Sequence, residues 1–338
     1  MGIKGSATCV MNFERARRWL IGEPNRGLAC MFTMMNSARL MVGMQGLGIA
    51  EAAWQISLGF ARERLQSRSP SGPKAPDKAA DPIIVHPDVR RNLLRQKAMI
   101  EGCRALAYFT GLHEDVAHGH EDPAVRQQAD DLVQLLTPVV KAFLTDEGFA
   151  CANDALQVLG GSGFTQDWGI EQLVRDARIT RIYEGTNGIQ ALDLVGRKLN
   201  LGGGRALRAY FALIQQWLGE HPDAPHAKTV ARALERLQQA TLWIASQGMQ
   251  DAEQAAAAAT PYLRLFALTS LAWMWSRMAA VAARQLAQGS SETAFYGAKL
   301  KSADFFMARL LPESESLLVE IQAGKASLMA FSEDEFAA

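Results

Sequence analysis

The chain has 338 residues, 49% of them hydrophobic and 21% charged, which is enough for two or three domains at roughly 100–200 residues each. Lys+Arg and Asp+Glu both total 35, so no global field draws the chain to nucleic acid or an anionic membrane, and any anionic ligand must be held by a local site. Cys9, Cys30, Cys103 and Cys151 form no close pair, no signal-like series opens the chain, and the most apolar stretch, Tyr262 to Ala283, is interrupted by Arg264, Ser276 and Arg277; a disulfide framework and a membrane span are not expected, and a cytoplasmic location fits best.

The first thirty residues carry Gly2, Gly5, Gly22, Pro24 and Gly27 between β-prone pieces, Thr8 to Phe13 and Trp19 to Ile21, and read as the end of a sheet. Such short strands do not stand alone in water, so a segment preceding residue 1 is expected and the chain reads as truncated at its N-terminus. From Thr33 to Gln66, Leu40, Met44, Leu47, Ala50, Trp54, Leu58, Ala61 and Leu65 recur at spacings of three and four, which predicts one long amphipathic helix. Ser67 to Pro87 holds Pro70, Pro73, Pro76, Pro82 and Pro87 and predicts a surface loop. Two further long helices follow, Asp88 to about His118 and Pro123 to about Leu159, the second kinked at Pro138.

A Gly160–Gly163 turn, a short helix from Gly169 to Ala177, an extended Ile179–Tyr183 and a helix from Asn187 to Leu199 come next, with Asn187 and Gln190 spaced as a capping pair. Gly202, Gly203 and Gly204 break the pattern. Arg205 to Ala338 then reads as further amphipathic helices separated at Pro222, Pro261, Gly289 and Pro312.

Chemistry concentrates in Ala155 to Leu199, ALQVLGGSGFTQDWGIEQLVRDARITRIYEGTNGIQALDLVGRKL. Gly160, Gly161 and Gly163 let the backbone turn with positive φ and approach a flat ligand or a phosphate, although a Gly-Gly pair is equally a plain helix C-cap. GGSGF lacks the G-x-G-x-x-G spacing and follows a helical pattern, which excludes a dinucleotide fold. Glu184 stands between aromatic and glycine neighbours ahead of a helix N-terminus. A carboxylate there either serves the helix dipole or, partly desolvated, acts as a general base. His113, His118 and His120 among Glu114, Asp115, Glu121 and Asp122 read as a solvated helix end, since no metal-ligand spacing occurs. Met31, Met34, Met35, Met41 and Met44 read as adaptable packing. No nucleophile elbow or phosphate loop appears.

Q-x-x-G-G-x-G-F, R-D-A-R-I and Y-E-G-T-x-x-I-Q, in this order and spacing, resemble the acyl-CoA dehydrogenase family. The resemblance implies a mainly α fold: a C-terminal four-helix bundle over residues 31–200, a remnant of the middle β-domain over 1–30, and a helical extension over 201–338. The extension is similar to that of the larger bacterial subgroup that includes methylthiopropionyl-CoA dehydrogenases. It further implies FAD as cofactor and acyl-CoA as substrate, with Glu184 removing the α-proton while the β-hydrogen leaves as hydride. Electron-transfer flavoprotein would be the acceptor, and the protein would be a homo-oligomer.

Tyr183 and Gly185 would line the acyl pocket, and Thr186 would touch FAD. Gln157, Gly160 and Gly161 resemble the turn that reaches FAD from the neighbouring subunit. Arg64 and Gln66 resemble the end-of-helix pattern whose arginine pairs with the FAD pyrophosphate, with Ser67 and Arg68 replacing its Phe-Gly. Asn36 and Arg39 match residues near the pantetheine and the base. Ala38, where some members place their base, leaves Glu184 as the candidate. Gly188 replaces a glutamine that contacts the flavin nucleotide in many members. An acyl-CoA oxidase, or a non-catalytic scaffold or alkylation-response-type paralogue, is the alternative reading.

Overall fold

A computed structural model describes every residue, Met1–Ala338. The long helices run α1 (Gly27–Glu63), α2 (Pro87–Gly119) and α3 (Pro123–Leu159); a one-turn α4 (Gly161–Phe164) then leads to α5 (Ile170–Thr180) and α6 (Asn187–Asp193). Apolar side chains at three- and four-residue spacing form these helices, and the stripe expected on α1 is the face that packs: Leu40, Leu47, Ala50 and Ala61 are buried, and Met44 and Trp54 lie against the core. Proline at the first helical position opens both α2 and α3, where its missing N–H costs nothing, and Asp122 caps α3 by accepting from Ala124 N at 2.8 Å.

Trp54 Nε1 donates to the Leu93 carbonyl and Arg104 pairs with Glu51, so α1 and α2 run antiparallel. Gly43 packs on Val140 and Gly46 on Leu144 and Thr145, which sets α3 parallel to α1 at a separation only glycine permits, because a Cβ on Gly46 would stand 2.6 Å from the Leu144 carbonyl oxygen. After Gly160 the chain reverses. Ile170 clusters with Val158 and Leu159, and Arg181 pairs with Asp146, so α5 and α6 return along α3 as the fourth, antiparallel member of the bundle. A turn of π-helix, Leu194–Lys198, extends α6.

The second helical set is α7 (Arg205–Glu220), α8 (Ala227–Gln250), α9 (Ala252–Ala287), α10 (Thr293–Arg309) and α11 (Glu313–Ala323). Its axis is α9, which carries Tyr262, Phe266 and Trp275 in full burial and reaches into the first set, where Trp275 Nε1 donates to the Ala98 carbonyl at 3.2 Å. This helix is long and apolar enough to cross a membrane, but 78% of its most apolar window is buried inside the protein.

Several expectations are corrected. Residues before Gly27 form no strand: Val10, Trp19 and Ile21 are exposed, because a strand needs a ladder partner that this chain does not present. The helix expected at Gly169–Ala177 continues to Thr180, so Ile179–Tyr183 is a helix end and a turn, not extended chain. Pro261 lies inside α9 and does not break it, since burial against α8 and α11 outweighs one lost backbone hydrogen bond. Of the five methionines Met31, Met34, Met35, Met41 and Met44, only Met44 packs on the core, while Met31, Met34 and Met41 are exposed on a face that this chain leaves uncovered.

Candidate active site

The turn from Arg181 to Thr186 carries the candidate base. Asn187 N donates to the Arg181 carbonyl at 3.1 Å and closes the turn, which passes through left-handed backbone at Glu184 (φ 56°) and Gly185 (φ 82°). Glycine adopts that region freely, whereas for a residue with a Cβ such as glutamate it costs about 1–2 kcal/mol. The surroundings hold it there. Gln190, 0% exposed, donates from Nε2 to the Glu184 carbonyl at 3.1 Å, and Lys141, also 0% exposed, donates from Nζ to the Gly185 carbonyl at 2.8 Å. A Cβ on Gly185 would stand 2.7 Å from Gln190 Nε2, so this position needs glycine for space as well as for φ.

The helix cap differs from the expected one. Thr186 is the N-cap of α6, its Oγ1 accepting from Ile189 N at 3.3 Å, while Asn187 points into the bundle. There Asn187 Nδ2 donates to the Ala142 carbonyl (3.1 Å), Thr145 Oγ1 (3.0 Å) and Asp146 Oδ1 (2.9 Å), and its Oδ1 accepts from Lys141 Nζ at 2.9 Å. Either residue can cap a helix, and the one that faces buried partners on α3 is taken by them. Gln190 reaches back to the Glu184 carbonyl, not to a capping N–H.

Glu184 is half-buried, and its Oε2 is buried with no hydrogen-bond partner. Arg39 is 8% exposed, with an equally unpartnered Nε, and its Nη2 would lie 3.9 Å from a Cβ on Gly185. It faces Asp193 at 3.8 Å. Tyr183 donates its hydroxyl to Gln45, and burial pushes its phenol above the usual range. Asn36, Arg39, Asp193 and Lys198 line one cavity of about 430 Å³ between the N-terminal part of α1, α2 and α3, with the exposed Asn36 at its rim. Arg39, Tyr183, Glu184 and Gly185 are therefore brought together.

The remaining predicted residues gather elsewhere. Arg64 and Gln66 follow the C-terminal end of α1, beside Gln157, Gly160 and Gly161 at the end of α3, since Phe60 and Ala61 cluster with Val158 and Leu159. All five are exposed, and a Cβ on Gly160 or Gly161 would meet nothing within 4 Å. Gln66 is set by Asp81, whose carbonyl accepts its N–H at 3.0 Å and whose buried carboxylate accepts from Ser69, Lys74 and Ala75 N–H groups; against the effect of burial, these bonds hold that carboxyl well below the usual range. Arg68 turns to the buried Asp81 at 3.2 Å. From Lys141 to Gly160 α3 spans about 28 Å at roughly 1.5 Å per residue, so Gly160 and Glu184 of one chain do not share one compact pocket.

Lys141 is the participant that sequence reasoning missed, although a lone lysine inside the apolar run Val139-Val140-Lys141-Ala142-Phe143 was a usable signal. Burial lowers its pKa from 10.5 to about 8, with Asp146 and Glu184 opposing the fall and Arg39 adding to it. Between about pH 8 and 10.5 the unfolded chain holds a proton here that the folded chain has released, so this group's contribution to stability grows as pH rises through that window and is flat below it. Unfolding by urea, compared between the parent and Lys141→Met, should move in the parent's favour by roughly 1 kcal/mol per pH unit across that window; a pH-independent difference would refute the assignment. Neutral lysine keeps two N–H donors, enough for both of its acceptors.

Comparison with known proteins adds a second line of observation. The sequence family described as "Acyl-CoA dehydrogenase, C-terminal domain" matches residues 25–199, and "Acetyl-CoA dehydrogenase C-terminal like" matches 210–332. The chain is 42% identical over 93% of its length to 3-methylmercaptopropionyl-CoA dehydrogenase of Ruegeria pomeroyi, covering 53% of that protein. It is 34% identical over 99% of its length to the broad-specificity linear acyl-CoA dehydrogenase FadE5 of Mycobacterium tuberculosis, covering 58% of it. The chain thus spans little more than half the length of these curated relatives. Its fold is similar to that of a Bacillus anthracis acyl-CoA dehydrogenase complexed with FAD (TM-score 0.69, 22% identity, 89% of this chain and 50% of that one) and of Caenorhabditis elegans ACDH-11 in complex with C11-CoA (TM-score 0.70, 19% identity, 85% and 45%).

Proposed function

The chain belongs to the acyl-CoA dehydrogenase family, and from that premise we propose that it carries the base and part of the flavin cradle of an FAD-dependent enzyme that converts an acyl-CoA thioester to its trans-2-enoyl-CoA. The observation that carries the reading is the Glu184 carboxylate, whose Oε2 is buried and unpartnered on a turn fixed from beneath. A carboxylate so placed is free to accept a proton from the carbon α to a thioester. The Glu184 N–H donates to no backbone carbonyl, which leaves it available to the thioester oxygen where negative charge develops. Arg39, cationic beside Gly185, adds to that field.

The residues present fit a flavin. Thr186 keeps its hydroxyl proton free while capping α6, next to the base. Arg64 offers an exposed guanidinium, and the open Gly160–Gly161 edge admits a close approach. FAD, when bound, supplies the acceptor for the β-hydrogen. The span of about 28 Å between Gly160 and the level of Glu184 supports a site shared between two copies, in which Gln157, Gly160, Gly161, Arg64 and Gln66 of one copy serve the flavin beside Glu184 of the other. Electron-transfer flavoprotein as the acceptor carries over from the family resemblance.

The test is product formation by the FAD-loaded protein with an artificial electron acceptor, offered 3-methylmercaptopropionyl-CoA and butyryl-CoA in parallel. Enoyl-CoA formation with a preference for the first is the expected result, given the name and 42% identity of the Ruegeria relative. Flavin-loaded protein that turns over no acyl-CoA would defeat the reading.

A further inference from the structure

Neither proton abstraction nor flavin contact uses Lys141, yet it is a fully buried cation spent on two atoms of one turn. We propose that Lys141 is a positioning residue: by clamping the Gly185 carbonyl and the Asn187 side chain together, it holds Glu184 in the left-handed conformation that aims its carboxylate. The proposal rests on the reading of Glu184 as the base. Removing a lysine from water is costly, and one that only stabilised a bundle would pair with a carboxylate or run its stem out to solvent. Lys141 does neither; its Nζ bonds are to Gly185 O at 2.8 Å and Asn187 Oδ1 at 2.9 Å. Asp146 from α3, Glu184 from the turn and Arg39 from α1 act on it from farther away.

The geometry of the turn explains why such a clamp is needed. Two consecutive residues, Glu184 and Gly185, have positive φ, and each of their carbonyls is caught by a different buried side chain, Gln190 for the first and Lys141 for the second. Strained backbone persists only where the surroundings over-determine it. Asn187 joins the same device, because the oxygen it gives to Lys141 and the three bonds its amide nitrogen makes to α3 fasten the start of α6 directly behind the base.

The test uses Lys141→Met and Lys141→Arg in the FAD-loaded enzyme. Lys141→Met should lower kcat about tenfold to a hundredfold with KM little changed, since small misplacements of a reacting group carry losses of that size. The kinetic isotope effect of an α-deuterated acyl-CoA should rise as proton removal becomes more rate-limiting, and amide hydrogen exchange at Glu184 to Asn187 should quicken while that of the α3 core does not. Lys141→Arg, which keeps a cationic donor, should recover part of each change. Parental kcat per bound flavin, or unaltered exchange at the turn, would overturn the proposal and leave Lys141 as packing. If Lys141→Met does not fold, Asn187→Leu removes the other half of the clamp and is judged by the same readings. Full activity in Glu184→Gln would defeat the base assignment alone, whereas the exchange measurement would still decide whether Lys141 holds the turn.

Discussion

Replacing Glu147 by alanine is expected to destabilise the fold by about 3 kcal/mol, the usual size of the loss when one partner of a buried ion pair is removed. Glu147 is 3% exposed and accepts from Arg95 Nη2 at 2.8 Å and from Arg264 Nη1 at 3.0 Å. Arg95 comes from α2 and also holds Asp154 at 2.9 Å, and Arg264 comes from α9 and also holds Glu313 of α11. The carboxylate therefore ties the first helical set to the second, and both guanidiniums lose their shared anion when it goes. Glu147→Gln, which keeps an acceptor of the same shape but no charge, should lose less, about 1–2 kcal/mol. Urea unfolding monitored by tryptophan fluorescence measures both. A loss below about 1 kcal/mol for the alanine variant would mean that the junction is held without Glu147, by the packing around Trp275 and by the other ion pairs that cross it, Arg205–Asp131 and Lys299–Glu101.

Most of the helical framework was legible because it follows from spacing. The stripe from Leu40 to Ala61 needed only the helical period, and the start of α3 was marked by Pro123. Misreadings arose where a local signal depended on a partner far along the chain. Thr8 to Phe13 has strand-prone residues but no ladder to join, and Pro261 is a breaker in isolation yet is itself buried inside α9. The site shows the same limit. Glu184, Gly185 and Arg39 were identified by motif and resemblance, and the structure places them side by side. The assignment of the cap to Asn187 was off by one residue, because Asn is the stronger capping residue by intrinsic preference and only its contacts with Lys141 and Asp146 leave the cap to Thr186. Lys141 interrupts an apolar run of α3 and Glu147 stands beside Asp146, so sequence alone shows charges but not what they touch, since their partners come from Arg95, Gly185, Asn187 and Arg264.

The central claim is that Glu184 takes the α-proton, and Glu184→Gln in the FAD-loaded enzyme tests it most directly. Glutamine keeps the size of the side chain, and the turn beneath it is held through backbone carbonyls by Gln190 and Lys141, which the substitution does not touch. Thr186, Arg64 and the Gly160 edge are likewise unaltered, so the protein should stay folded and yellow. An amide is too weak a base to accept the proton, and loss of a positioned general base costs about a hundredfold to ten-thousandfold in rate. The measurement is exchange of the α-proton of an acyl-CoA with deuterated solvent under anaerobic conditions, alongside enoyl-CoA formation and flavin absorbance. The account predicts that exchange and turnover both fall by at least about a hundredfold with flavin retained; a variant that keeps its flavin and exchanges the α-proton at the parental rate would contradict it.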